Sequence, residues 1–427
     1  MVSSGDTAWV LVSAALVLFM TVGLAFFYGG LEPRRNVLNM LMMNFFTISI
    51  VTVVWILVGF SLAFAPDAGW GVIGNLHYAL MRHMTGIWPG THIPKLTFML
   101  FQLMFAVITP ALITGAIAGR VKFKAWMAVC FGWSLLVYPT VAHWLFDPAG
   151  WLYRLGSRDF AGGAVVHASA GAAALVLALM VGPRSQKSLK SYKPHSVPLM
   201  LLGAGILWFG WFGFNAGSAL GSGQLAASAF AATQIAAATS SIVWALVEYR
   251  FAGKVTVVGV ATGAVVGLAT ITPASGFVGP LAAMAIGAGG SLAGYWAIRI
   301  FQRFSRFDDS FDVVACHGVG GATGMLLLGV FAQYAINPGG LRRTTGMAIS
   351  GLIFGHSQFL GDQLVAVIAV VGFTIVATYV IGLMVNATIG LRVSKADEVA
   401  GLNGAFDGAA YVFEEVALEA RRWQVDL

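Results

Sequence analysis

The sequence predicts an all-α integral membrane protein of eleven transmembrane helices. Three observations carry that expectation: a composition too apolar for water, apolar runs of membrane-spanning length, and alternating charge in the loops between them. Of 427 residues, 58% are hydrophobic and 10% are charged, against roughly 25% charged in a soluble domain. A bilayer must therefore be part of the solvent. The 53 glycines fit this reading, because small residues let membrane helices approach closely and pack by dispersion.

A spanning helix needs about 20 apolar residues. The first such run, 8–28, follows Met1 to Asp6, which carry no positive charge, so it reads as a helix rather than a removable signal. Arg34 and Arg35 separate it from the second run, 41–64. A longer polar stretch with Arg82 and Lys95 leads to the third, 97–118, and Arg120, Lys122 and Lys124 precede the fourth, 125–146. Arg154 and Arg158 stand before the fifth, 160–182; Arg184, Lys187, Lys190 and Lys193 lie between it and the sixth, 197–218. The seventh, 225–248, is followed by Arg250 and Lys254. The eighth and ninth cover 255–273 and 278–300, and Arg299, Arg303 and Arg306 come before the tenth, 311–333. Arg342 and Arg343 precede the last and longest run, 361–391.

Positive charge thus gathers after the odd-numbered spans, which puts the N-terminus outside and the C-terminus inside. The expected division is a membrane domain over 1–393 and a cytoplasmic tail over 394–427. Trp70, Trp88, Trp144 and Trp151 fall near the outer ends of spans, where indole rings favour the headgroup region. The net charge of +7 reports topology and gives no nucleic-acid surface, since the basic residues sit in short loops. Cys130 and Cys316 both lie in apolar runs and suggest no disulfide framework.

The chain also echoes itself. The first span ends Gly23-Leu-Ala-Phe-Phe-Tyr-Gly-Gly-Leu31 and the sixth ends Gly210-Trp-Phe-Gly-Phe-Asn-Ala-Gly-Ser218. Asp159 precedes Val166-His167-Ala-Ser-Ala-Gly171, and Asp312 precedes Cys316-His317-Gly-Val-Gly-Gly321. Two five-helix units, about 8–182 and 197–333, would insert with inverted orientation and bring equivalent residues together near the bilayer centre. His167 and His317 would then meet, with the helix over 361–391 added to the 5+5 inverted repeat.

Polar side chains at membrane depth are disfavoured unless they face the bundle interior. His167 and His317 are accordingly the leading functional candidates, against the blander reading of two histidines that satisfy hydrogen bonds between helices. Two neighbouring imidazoles resist joint protonation, and a neutral pair suits a small polar solute such as ammonia. A metal centre would need a third ligand, and Cys316 is the only neighbour in sequence; no metal and no cofactor are expected. Phe105, Phe146 and Phe214 form a second constellation with Ser218. Any one ring reads first as packing, but rings with a hydroxyl can hold ammonium and discriminate it from sodium or potassium, which donate no hydrogen bond. Asp159 reads as the cap of the fifth span, with a further field effect on a nearby cation, and Asp312 as the cap of the tenth. No phosphate-cradling loop and no nucleophile–base spacing is recognisable, so the chain is not read as an enzyme.

These strings resemble the ammonium transporter family, which includes bacterial, plant and yeast transporters and the Rhesus glycoproteins. The resemblance runs from about Ala8 to Val393 and rests on Phe26-Phe-Tyr-Gly-Gly-Leu31, Asn36-Val-Leu-Asn-Met40, Asp159 through His167, Gly210 through Ser218, and Asp312 through Gly318. It implies a homotrimer in a plasma membrane with one pore per subunit. Phe105, Phe146 and Ser218 would form an outer ammonium site, Phe105 and Phe214 a stacked gate, His167 and His317 the twin-histidine pore motif, and Asp159 the nearby acid. The sequence departs from the family at Phe146, where tryptophan is usual, and at Gly119, where glutamate is common. Its tail, Gly401 to Tyr411, lacks the acidic, histidine-containing segment on which a PII-type regulator would be expected to act. Val412, Phe413, Val416, Ala417, Ala420 and Trp423 recur at helical spacing, which leaves two functions open: ammonium transport, or ammonium sensing coupled to a C-terminal signalling module. A histidine-bound metal enzyme is the third class weighed.

Overall fold

The computed structural model describes residues 1–185, 194–304 and 307–405. Among these residues the regular structure is helical, and extended pairing is limited to isolated bridges such as that between Val121 and Arg392. Helix α1 covers Ser4–Leu31, and α2 covers Val37–Val54, continuing through a π-helical turn, Trp55–Gly59, to Phe64. They are followed by α3 Lys95–Ile113, α4 Phe123–Phe146, α5 Ser169–Val181, α6 Val197–Gly217, α7 Gln224–Ala252, α8 Val257–Ile271, α9 Pro280–Phe301, α10 Gly320–Phe331 and α11 Ser357–Thr388. Wider π-helical turns, Gly163–Ala168 and Val314–Val319, lead into α5 and α10.

Helices occupy every apolar run. Sequences this rich in glycine and β-branched residues make poor helices in water, but in an apolar solvent each backbone group must bond within its own segment, and the helix does that. Ten of the helices are long and apolar enough to cross a membrane; Val257–Ile271 is apolar but shorter, at 15 residues, or about 22 Å. Pro273, which cannot continue the ladder, follows it closely. Polar starts fix several helices: Ser3, Ser196 and Thr256 hydroxyls accept the N–H groups of Asp6, Leu199 and Gly259 at 3.2, 3.2 and 2.9 Å.

Two close crossings set the interior. Helix α1 lies along α6, and a Cβ on Gly203 would stand 2.3 Å from the Phe27 nitrogen. The start of α5 crosses the turn before α10, where a Cβ on Gly171 would stand 2.2 Å from Gly318 Cα. Only glycine permits these approaches. Elsewhere apolar side chains face outward, as with Ile368, Val376 and Met384 on α11.

The four indoles sit in different surroundings at the span ends. Trp70 is 92% exposed, but Trp144 is buried, donates its N–H to the Val72 carbonyl at 2.8 Å and packs on Phe373. Trp88 stacks on Phe98 at 4.1 Å and Trp151 packs on Trp144. The segment between α2 and α3 folds back over the helix ends, so these rings pack on neighbouring aromatic side chains. At the opposite end, the chain after α11 returns over the bundle through a short helix, Lys395–Ala400. Leu402 N–H donates to Asn36 Oδ1 at 3.0 Å, and Arg392 pairs with Glu398 at 2.8 Å. The helical pattern from Val412 to Trp423, and Lys187, Lys190, Lys193 and Arg306, lie outside the described residues.

Candidate functional site

Asp159 organises the turn that carries His167. Its carboxylate accepts four backbone N–H groups, from Gly162, Gly163, Ala164 and Val165, at 2.8, 2.7, 2.8 and 3.1 Å. These are the first-turn donors that a helix leaves without partners, so the expected cap is present with both oxygens committed. Asp312 does not cap α10. The Val314 N–H donates to Asp309 Oδ2 at 2.7 Å, and Asp312 itself adopts a left-handed backbone, φ 57°. The correction follows from register: Asp309 precedes His317 by eight residues, as Asp159 precedes His167.

The two turns bring the imidazoles together. His167 and His317 are buried, their rings lie 5.2 Å apart at 23°, and their Nδ1 atoms are separated by 3.3 Å. One Nδ1 donates and the other accepts, so the pair holds one proton between its rings. A π-helical turn displaces side chains from the ordinary helical rows, and here it aims both rings across the α5–α10 crossing. His167 Nε2 has no partner within the protein. Both rings line a narrow cavity walled mainly by apolar side chains, including Leu24, Leu112 and Leu207.

Phe214 forms part of that cavity and stacks towards His167 at 5.9 Å. On its other side it meets Phe105 with ring centroids 4.3 Å apart and planes tilted by 36°. Both phenylalanines are fully buried, so the ring pair separates the narrow cavity from a wider, more open one. Phe105, Phe146, Ser218 and Asp159 all line this wider vestibule. Phe146 meets Phe105 edge-on at 6.5 Å, and the Ser218 hydroxyl donates to the Phe214 carbonyl at 2.9 Å. The serine's proton is thus engaged, and its lone pairs remain to accept.

Ser218 and Phe146, the Phe105–Phe214 pair, and His167 with His317 therefore follow one another along a single line, with Asp159 on the vestibule wall. The family model described as Ammonium Transporter Family matches residues 8–411. The chain belongs to the ammonium transporter family. An ammonium transporter of Aquifex aeolicus is 46% identical over 398 residues, 93% of this chain and 90% of its own. Ammonium transporter Amt1 of Archaeoglobus fulgidus is 40% identical over 401 residues, 94% and 97% of the two chains. Among solved structures, Mep2 of Saccharomyces cerevisiae matches with a TM-score of 0.85 at 34% identity, covering 92% of this chain and 88% of its own. A structure described as "Sensor Amt Protein" matches with a TM-score of 0.86 at 30% identity, covering 94% and 98%.

As a member of this family the chain is a multi-pass protein of the plasma membrane. Its site also contains residues that sequence reasoning did not single out. Trp211 stacks on His167 at 5.3 Å and donates its N–H to Thr272 Oγ1 at 2.9 Å. Tyr28 lines the narrow cavity, donates its hydroxyl proton to the Leu112 carbonyl at 3.0 Å and stacks on Phe311 at 5.4 Å. Both lie in the repeated strings at the ends of the first and sixth spans, and that position was the signal available. Cys316 packs in an apolar cluster with Trp244 and Tyr295. Among the described residues, no three His, Cys, Asp or Glu side chains converge as a metal-ligand set.

Proposed function

We propose that the chain conducts ammonium nitrogen across the plasma membrane through its own helical bundle, with the vestibule outside and the tail in the cytoplasm. The observation that carries this is the alignment of an aromatic vestibule, a closed ring pair and a buried histidine pair along one path. A cation in the vestibule meets the faces of Phe146 and Phe105, each worth about 0.5–2 kcal/mol depending on desolvation, and donates a hydrogen bond to Ser218. The Asp159 charge adds a favourable field there, although its oxygens are held by backbone N–H groups. An ionised group at membrane depth is disfavoured by about 2.5–3.5 kcal/mol or more, so the proton leaves the substrate before the ring pair. Neutral ammonia then passes Phe105 and Phe214 when the rings swing apart. It hydrogen-bonds to the imidazole nitrogens, whose shared proton gives the released proton a route alongside.

The same reading takes all eleven helices as spans, including the short Val257–Ile271, which a locally thinned bilayer accommodates. It takes 1–393 as a membrane domain built as an inverted repeat with α11 added, and 394–427 as a cytoplasmic tail. Exposed apolar side chains on α6, such as Leu202 and Phe209, suit lipid or a neighbouring copy in a homotrimer. The test is growth on low ammonium of a host lacking its own transporters, with His167→Ala and His317→Ala as controls. Rescue by the wild type and loss in the variants is expected; no rescue despite surface expression rejects transport.

A second reading, ammonium sensing, is favoured by the likeness to the solved structure described as a sensor. In that case ammonium binds with an affinity comparable to a transporter's, while flux stays near background. A PII-type regulator or an attached signalling module would act through the tail, and neither is needed for the pore chemistry.

A further inference from the structure

The vestibule has a second polar side chain beside its rings. Gln102 stands three residues before Phe105 on α3, and Ser218 stands four residues after Phe214 on α6. Each member of the ring pair therefore has a polar neighbour one helical turn away on the same helical row. Helix α3 starts at the vestibule end and α6 finishes there, so both polar residues lie on the vestibule side of the rings. Ser218 has given its proton to the Phe214 carbonyl. Gln102 is 8% exposed, lines the vestibule, and its Oε1 is buried without a hydrogen-bond partner in the protein.

A buried amide oxygen without a donor is disfavoured and calls for a ligand to complete it. We infer that Gln102 is a specificity-determining residue of the vestibule, its amide oxygen accepting a second hydrogen bond from the ammonium ion that Ser218 and the rings hold. The inference rests on the proposed ammonium site and adds to it. Ammonium carries four N–H donors in a tetrahedron, so two can be directed at Gln102 and Ser218 while the others face rings. Potassium can also be drawn to these oxygens, but two acceptors and the ring faces replace only a small part of its hydration shell, whereas they match the directed N–H donors of ammonium. With Phe146 offering a weaker quadrupole than an indole, the second acceptor supplies binding that the ring lacks. A half-turn of the terminal amide exchanges its oxygen and nitrogen, and the charge of the ion favours the orientation that presents the oxygen to it.

The experiment uses full-length protein reconstituted on a solid-supported membrane and titrated with ammonium chloride. Gln102→Met keeps the shape and removes the acceptor: half-saturating ammonium should rise about tenfold, the loss expected for one hydrogen bond to a charged group, with maximal current within about twofold of wild type. Gln102→Glu keeps an acceptor and adds charge, and should bind at least as tightly as wild type. Gln102→Asn withdraws the amide by one methylene and should also raise the half-saturating concentration; it carries the test alone if the methionine variant does not assemble. An unchanged half-saturation in Gln102→Met or Gln102→Asn overturns the inference. So does an equal loss in Gln102→Glu, or a fall in maximal current at constant half-saturation, which marks a packing role. A wild type with neither a saturable current nor saturable ammonium binding by titration calorimetry rejects the underlying site as well, whereas a saturable wild type matched by Gln102→Met rejects only the role of Gln102.

Discussion

Phe146 tests the vestibule at the scale of one side chain. It meets Phe105 edge-on and lines the space where a cation would rest. Phe146→Trp should lower half-saturating ammonium by about two- to fivefold, because indole carries the strongest ring quadrupole; current titrations on supported membranes measure it, and a higher value counts against a cation at this ring. His167 and His317 were legible in the sequence because a polar residue inside an apolar run must face protein, and Asp159 because an acid just before such a run reads as its cap. Trp211 and Tyr28 were not, because in a chain that is 12% aromatic one more ring reads as packing. Only its contact with His167 separates Trp211 from the rest.

The helix starts before α5 and α10 decide where the histidines point. Asp159→Ala would strand four buried N–H donors and should destabilise the protein by about 2 kcal/mol or more. Thermal unfolding in detergent would show it as a lower midpoint, with a smaller effect for Asp312→Ala than for Asp309→Ala, since Asp309 receives the Val314 N–H. Gly171→Val places a branched side chain against the Gly318 backbone, where even a Cβ falls 2.2 Å away. Overpacking of this kind costs about 1–3 kcal/mol and should weaken flux together with stability, since the same crossing aligns the imidazoles. The long apolar helices themselves were readable from hydropathy. The π-helical turns were not, because no periodicity in a six-residue segment separates them from ordinary helix.

Across the whole molecule, the end opposite the vestibule is tied by a charge web that links distant loops. Asp308 accepts the Arg184 guanidinium at 2.7 and 2.9 Å, and the buried Arg120 lies 3.6 Å away and donates to the Asp308 carbonyl at 2.8 Å. Burial pushes the Asp308 carboxyl up, but the Arg184 hydrogen bond and the Arg184 and Arg120 charges outweigh it and hold the group below the usual carboxylate range. The unfolded chain then takes up the proton first on acidification. The stabilisation is complete above the ordinary aspartate value of about 3.9 and is lost as pH falls below it, through the lower folded-state value. Unfolding midpoints measured from pH 7 to pH 3 should drop in the acid limb, and Asp308→Asn should start lower at pH 7 and flatten that limb.

The sequence alone determined that the chain inserts in a bilayer, roughly where its helices run and which polar residues they keep from lipid. Insertion depends on transfer free energies summed over about 20 consecutive residues, so the information is local. The tertiary structure decided that Asp309 rather than Asp312 caps α10 and that Trp144 turns inward. It also decided that Gln102, Trp211 and Tyr28 line the same two cavities as the residues singled out in the sequence. Those outcomes depend on where glycine-mediated crossings and folded-back loops bring separate helices together, and the free energy of such contacts belongs to pairs of residues far apart in the chain.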